Sequence, residues 1–383
     1  MPAWWYMFAY TIFMAIIGTL FYKNRQYITE ESTLSNNNKN YRDSSISLFF
    51  ALLTFALIVF YAGERSWVYD TYDYMSSYNN FDASNLSYIS DVIKGDIEVK
   101  GPGFSILLCL FKHFTGGDYN SWFFFIAIIE GVCLSYFLYR YSTNFALSVY
   151  MIFTSGVFVW MFNGFRQFLA VCIILLFSDF LFNRKTIPFL FVVLLAYSIH
   201  SSAILFIPVY FIVNFNPWSK KIVVLSILFF IGIYILTQTS ILGEDFEYSY
   251  LSTDVAGTTG VSPIRVLFMS IPTVLAFISK EKIGSINNKI IEYCVNISFI
   301  CTGCYVVSMF TNGVMGRVPI YFQMFNYLLY PWLLYNAFDK KTSKLFLYTF
   351  VFVFFLYFLY DAYINKNYFY QSQNLDLYYK IEF

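Results

Sequence analysis

Charge is scarce in this chain: Asp, Glu, Lys and Arg make up 12% of its 383 residues, about half of what soluble domains carry. The little there is nearly balances, at a net +1. No global field and no Lys/Arg-rich tract of the nucleic-acid kind exists, and nucleic acid is set aside as a partner. Histidine is reduced to two residues, His113 and His200. The six cysteines (Cys109, Cys133, Cys172, Cys294, Cys301 and Cys304) all lie inside apolar stretches, so no disulfide is expected. Cys301 and Cys304 form a CxxC, but without the second ligand pair that a zinc site needs they read as packing residues. Walker A, GxGxxG, HExxH and GxSxG patterns are all missing, which disfavours an ATP-driven pump and the soluble-enzyme chemistries those motifs carry. Neither an internal repeat nor a soluble domain is recognisable.

Apolar residues fill the space that charge leaves. They account for 58% of the chain, and the mean hydropathy is +0.58. Runs of roughly 17 to 25 apolar residues recur to the last residues with short polar turns between them, where an outer-membrane barrel would alternate in strands of about ten. The expected fold is therefore all-α, a polytopic helical membrane protein with about 12 transmembrane helices plus one re-entrant or interfacial helix. Spans are expected at about 1–22, 46–62, 121–139, 144–162, 164–182, 186–200, 202–214, 222–238, 263–279, 289–311, 317–337 and 345–362. The opening Trp4, Trp5 and Tyr6 suit an interfacial belt better than a cleaved signal. Basic turns such as Lys23 with Arg25, Arg184 with Lys185, Lys220 with Lys221 and Lys340 with Lys341 set the inner side. Pro102–Thr115 is too short to span, and letting it cross would put every later basic turn outside. It is therefore expected to be re-entrant or interfacial. Residues 1–383 then form a single transmembrane domain, with a first large outer loop at 63–120, a second at 239–262 and an outer tail at 363–383.

Stretch 162–210 concentrates the chemistry. Arg166 opens one apolar run, a basic turn closes it at Arg184 and Lys185, and a second run returns to His200. Each arm is roughly 25 Å long, so Arg166 and His200 are expected on the same, outer side. Arg65, Arg265 and Arg317 also fall at outer ends of expected spans, and all four cations there are Arg while the inner turns are mostly Lys. The planar fork of Arg suits diphosphate oxygens, although any single interfacial arginine can equally snorkel to water or lipid phosphate. His200 beside arginines would be held unprotonated, fit to accept a proton from a hydroxyl; a hydrogen-bonded structural role is its ordinary alternative. Among the acids, Asp70 is a rival in the first outer loop. Asp96 with Glu98 could take a divalent metal, although a solvated face is the simpler account. Glu130 falls in mid-span, where an ionisable group is by default functional or paired.

At Asn163, Gly164, Phe165, Arg166 and Gln167, followed by Leu169 and Ala170, and at Tyr197, Ser198, Ile199, His200, Ser201 and Ser202, the chain resembles the EpsG-like branch of the Wzy-type polysaccharide polymerases. Arg65 with Asp70 and Tyr72, Gly103 with Phe104, Arg317 before Pro319 and Tyr321, and the aromatic tail fit the same layout. The resemblance implies a GT-C-like multi-pass enzyme of the bacterial inner membrane with its active site facing the periplasm or cell exterior. It would transfer a growing glycan from undecaprenyl diphosphate onto a lipid-linked repeat unit, making O-antigen, capsule or exopolysaccharide. The reaction would be inverting and metal-independent, with no cofactor. Catalytic roles would fall to His200, Arg166 and Arg317, and diphosphate binding to Arg65, Asp70, Arg166, Gln167, Arg265 and Arg317. Partners would be undecaprenyl diphosphate-linked oligosaccharides, membrane lipids, a chain-length regulator and a flippase. A ligase or other membrane transferase, and a lipid-linked oligosaccharide flippase or transporter, are the alternatives. A transporter should show polar groups through the midplane and repeated halves, whereas here the arginines gather at one face.

Overall fold

A computed structural model describes residues 3–21, 45–66, 68–82, 86–237, 260–286, 288–311, 313–364 and 370–377. The polar stretch 23–44 and most of the expected second outer loop, through residue 259, lie outside the described residues, as do residues 365–369 and 378–383 of the expected tail. Among the described residues the secondary structure is helical, apart from one isolated bridge between Ser372 and Leu377. The α-helices are α1 (Ala3–Phe21), α2 (Ser45–Leu53), α3 (Ala56–Gly63), α4 (Thr71–Asn80), α5 (Ser87–Lys94), α6 (Pro102–Thr115), α7 (Tyr119–Tyr141), α8 (Phe145–Thr154) and α9 (Phe165–Leu176). They continue with α10 (Ser178–Phe182), α11 (Thr186–Ile199), α12 (Phe206–Ile212), α13 (Lys220–Thr237), α14 (Pro263–Ile278), α15 (Lys280–Ile286), α16 (Lys289–Met309), α17 (Ile320–Asn336) and α18 (Lys340–Leu359). Three 3-10 turns, Val157–Met161, Ser201–Leu205 and Gly313–Arg317, join them at positions that matter below.

Four helices are long and apolar enough to cross a membrane, at Ala3–Leu20, Tyr119–Tyr141, Lys289–Met309 and Lys340–Tyr363, and the pair α14 and α15, bent by 66°, would make a fifth. The other apolar helices are shorter, 10–17 residues, because several apolar runs break inside, so four or five spans stand out by length and composition where about 12 were expected. Run 46–62 changes over at Thr54, whose hydroxyl bonds back to Phe50 O at 2.9 Å. Run 144–162 turns at Gly156, in the left-handed region at φ +79°, from α8 into a 3-10 turn. A Ser or Thr that bonds back to its own helix, or a glycine with positive φ, interrupts the ladder without interrupting the hydropathy.

Exposure supports a lipid environment. Along α13 the exposed side chains are Val224, Ile227, Leu228, Ile231, Tyr234 and Ile235, a 3-and-4 spacing that keeps them on one face. In α18 Leu345, Tyr348, Phe352 and Leu356 do the same. Apolar stripes of that length facing outward belong in hydrocarbon and not in water.

The chain separates into two compact units. The first comprises Met1–Val99, Phe104–Leu176 and Lys344–Phe383; the second comprises Lys100–Gly103 and Phe177–Ser343. In the first unit α7 packs on α3 and α9, and α1 packs on α2 and α8. Its expected outer loop is itself folded: Lys112 Nζ of α6 donates to Tyr78 O at 2.7 Å and Phe81 O at 2.6 Å, and Tyr78 Oη donates to Gly117 O. Residues 370–377 of the tail lie along the end of α3. Ser66 N donates to Gln371 O, Gln373 N to Ser66 Oγ, Tyr370 Oη to Tyr61 O and Asn374 Nδ2 to Glu64 Oε2, all between 2.8 and 3.0 Å.

In the second unit α16 is central, packed on α13, α14 and α17. Hydroxyls hold α14 to α16, with Thr273 Oγ1 at 2.8 Å from Ser298 Oγ and 2.7 Å from Thr302 Oγ1. Small polar residues let helices approach and bond where water is lacking. The basic turn after α10 is stapled by Arg184 Nε, which donates to Tyr293 Oη at 2.9 Å.

Candidate functional site

Arg65 is the most enclosed of the expected site cations, with 1% of its surface exposed. It follows the C-terminus of α3, and its Nη1 donates to the carbonyl of Ala62. A cation is favoured at that end of a helix, where unpaired carbonyls carry the negative end of the dipole. Its guanidinium lies over the rings of Phe123, 4.2 Å to the centroid, and Phe165, at 5.0 Å. Burial pulls its pKa down to about 10 against the opposing charges of Asp70 and Glu130, which keeps it cationic at neutral pH. Glu130, fully buried in α7, is the second carboxyl group that acts on it, after Asp70; neither of the Glu130 oxygens accepts a hydrogen bond among the described residues.

Asp70, whose charge acts on Arg65, also ties down a second segment of the same unit. Its Oδ2 accepts from Gly164 N at 2.9 Å. Gly164 sits in the left-handed region at φ +71°, with the Trp160 ring 3.0 Å from where a Cβ would stand. That conformation, natural for glycine and strained for other residues, turns the chain from the 3-10 turn Val157–Met161 into α9. The next residue, Phe165, is buried among the rings of Tyr74, Phe104 and Phe123 and fixes the start of α9. Half-buried Arg166 and buried Gln167 follow in the first turn. The NGFRQ stretch is thus a helix start pinned by an aspartate from the segment between α3 and α4 and by an aromatic cage.

In the second unit His200 ends α11 and begins the 3-10 turn Ser201–Leu205. Its Nδ1 lies 2.7 Å from Ser202 Oγ, and Ser202 Oγ donates to Tyr321 Oη at 3.1 Å. Tyr321 is buried in the first turn of α17, four residues after Arg317, which closes the 3-10 turn leading into that helix. Arg265 is half-buried in the first turn of α14, whose N-cap Ser262 accepts from Arg265 N at 3.3 Å. Gly101, at φ +68°, would bring a Cβ within 2.6 Å of Ile199 O, so the chain before α6 passes directly against the backbone that ends at His200.

The four arginines that look alike in sequence therefore separate. Arg65 stands at a helix C-terminus, while Arg166, Arg265 and Arg317 stand in or just before the first turn of α9, α14 and α17. A cation at a helix N-terminus is opposed by the dipole, by about 0.3–1 kcal/mol each, unless an anion shares the site, and the N-terminal amides attract that anion. The difference was available in the sequence, because Arg65 ends its apolar run and the other three begin theirs. Neither the cage of Phe123 and Phe165 around Arg65 nor the tie from His200 to Tyr321 carries a local sequence signal. Asp96 and Glu98 are exposed, and among the described residues no three His, Cys, Asp or Glu side chains group closely enough to hold a metal.

Helices with lipid-facing apolar stripes define the described residues as those of a helical membrane protein. The family comparison is more specific: the model of the EpsG family matches residues 47–374, most of the chain, and the chain belongs to that family, which is related to the Wzy-like polymerases. Membership points to a polymerase-type glycosyltransferase role at a membrane in general terms. No curated protein and no solved structure matches the chain.

Proposed function

We propose that this protein polymerises lipid-linked repeat units, transferring a growing glycan from undecaprenyl diphosphate onto the next unit at the outer face of the bacterial inner membrane. The acceptor hydroxyl oxygen attacks the anomeric carbon of the donor. The bond from that carbon to the diphosphate oxygen breaks, undecaprenyl diphosphate leaves with the electron pair, and the hydroxyl proton passes to a base, with inversion. What supports this most is membership of the EpsG family over residues 47–374; in addition Arg166, Arg265 and Arg317 stand in or just before the first turns of α9, α14 and α17, where backbone N–H groups attract anions. Charge grows on the diphosphate oxygens as the bond breaks, so fixed Arg donors in a low-dielectric site stabilise the transition state more than the ground state. His200 takes the proton, and Gln167 assists beside Arg166. Arg65 and Asp70, second choices as direct diphosphate ligands, hold the segment that presents Arg166. In this scheme no metal is required, the whole chain acts as one transmembrane domain of about 12 spans in a GT-C-like arrangement, and a flippase and a chain-length regulator work alongside it.

Purified protein incubated with a lipid-linked repeat unit, with products sized on a gel, tests the proposal. Ladders should grow in the presence of chelator, and Arg166→Ala or Arg317→Ala should slow growth by roughly 100- to 1000-fold, as loss of one charge-stabilising donor does. Transfer of one finished glycan to a different acceptor would indicate a ligase. Unchanged chain length in the Arg166→Ala and His200→Ala variants would overturn the site.

A further inference from the structure

We infer that Ser202 and Tyr321 are positioning residues that select the tautomer of His200 and so make its Nε2 the proton-accepting nitrogen; this rests on His200 being the base. A serine hydroxyl has one proton. Ser202 Oγ gives that proton to Tyr321 Oη at 3.1 Å, so at its 2.7 Å contact with His200 Nδ1 it accepts, and Nδ1 carries the hydrogen. The competing contact, Ser202 N–H toward Nδ1, is 3.4 Å long and requires the opposite tautomer. The shorter bond prevails, because hydrogen bonds weaken as they stretch past about 3.2 Å. Which ring nitrogen of a neutral imidazole is protonated is set by the hydrogen bond that the other nitrogen's neighbour imposes. With hydrogen on Nδ1, the lone pair is on Nε2, as taking a proton from a hydroxyl requires.

The chain of contacts has a second consequence. Tyr321 belongs to the first turn of α17, the helix that Arg317 leads into, and its ring is buried. One hydrogen-bonded path therefore registers the base against the helix start that carries a diphosphate arginine. Proton transfer and leaving-group stabilisation must coincide in the transition state, and a shared rigid element sets their spacing.

The two-histidine composition makes a direct measurement practicable, because His113→Gln leaves His200 as the sole imidazole. The full chain, labelled with 15N-histidine and held in lipid nanodiscs at a pH where the ring is neutral, reports its tautomer by NMR. The Nδ1–H form is expected in the His113→Gln parent. Tyr321→Phe removes the acceptor of the Ser202 proton, which then turns to Nδ1, so the Nε2–H form should take over although His200 is untouched. Ser202→Ala should do the same, and Ser202→Thr should restore the parent spectrum. In the polymerisation assay Tyr321→Phe should lower kcat by at least tenfold with KM little changed. An Nε2–H parent, or a tautomer indifferent to Tyr321→Phe and Ser202→Ala, overturns the inference. If the tautomer behaves as stated but His200→Ala still polymerises, the positioning stands and the base assignment falls.

Discussion

Arg65 and Glu130 should behave as one energetic unit, and their coupling can be measured. Arg65 is 1% exposed and Glu130 not exposed at all. Of the guanidinium nitrogens, Nη1 bonds Ala62 O, whereas Nε and Nη2 have no hydrogen-bond partner among the described residues, and the two Glu130 oxygens have none either. Replacing Arg65 by Met therefore removes the one cation among the described residues that opposes the desolvation of Glu130 and the guanidinium that bonds Ala62 O, and the expected loss is up to about 3–5 kcal/mol, less where Glu130 takes up a proton. The same change forfeits the faces of Phe123 and Phe165, worth about 0.5–2 kcal/mol. Glu130→Leu alone should cost less, because Arg65 keeps Asp70 as a counter-charge. The double variant should regain much of the loss, since it takes both desolvated ionisable groups out of the bundle together. Apparent unfolding free energies of the four proteins in mixed micelles, followed by circular dichroism, close the cycle. A coupling energy of about 1–3 kcal/mol is expected. Additivity to within about 0.5 kcal/mol would refute the claim that the charges compensate each other.

Gly164→Ala should destabilise the protein by about 1–2 kcal/mol through its left-handed backbone, with a further contribution from the Trp160 ring 3.0 Å from the new methyl. It should also slow polymerisation by moving Arg166, and an unchanged melting temperature would contradict the turn's role. Asp118 caps α7 by accepting from Ser121 N at 2.9 Å and Ser121 Oγ at 2.8 Å, and those bonds hold its carboxyl below the usual range. Because its folded pKa is depressed, this stabilisation is complete above the unfolded value, about 3.9, and is lost as pH falls through the folded one. Asp118→Ala should cost about 0.5–2 kcal/mol near neutrality, and melting curves from pH 7 downward should converge with those of the wild-type protein in acid.

Much of the architecture is legible without coordinates, for reasons of solvent physics. Lipid-facing helices such as α13 are apolar on all sides, so hydropathy finds them, and the basic turn at Arg184 and Lys185 marks a helix boundary between α10 and α11. Pro102–Thr115 also coincides with the helix expected there. Breaks inside apolar runs are harder to see, because Thr54 and Gly156 alter hydrogen bonding while hardly altering hydropathy. In the candidate site, Arg166 and His200 stand out by rarity and by motif. The partners that orient them do not: Asp70 reaches Gly164 across 94 residues, and Ser202 reaches Tyr321 across 119. Local pattern carries no information at such separations.

The tail contacts also bear on the order of biosynthesis. Tyr370 bonds Tyr61 across 309 residues, and the first unit takes its closing helix from residues after Lys344. The ribosome therefore delivers Phe177–Ser343 in full while the first unit still lacks α18 and the strand of contacts at 370–377. During insertion the Glu64–Ser66 segment must wait, with α3 already in place, until those residues emerge. A nascent chain whose emerged part ends near residue 343 should hold a finished second unit and an open first one, and this is the stage at which a chaperone or an insertase would find apolar surface to hold.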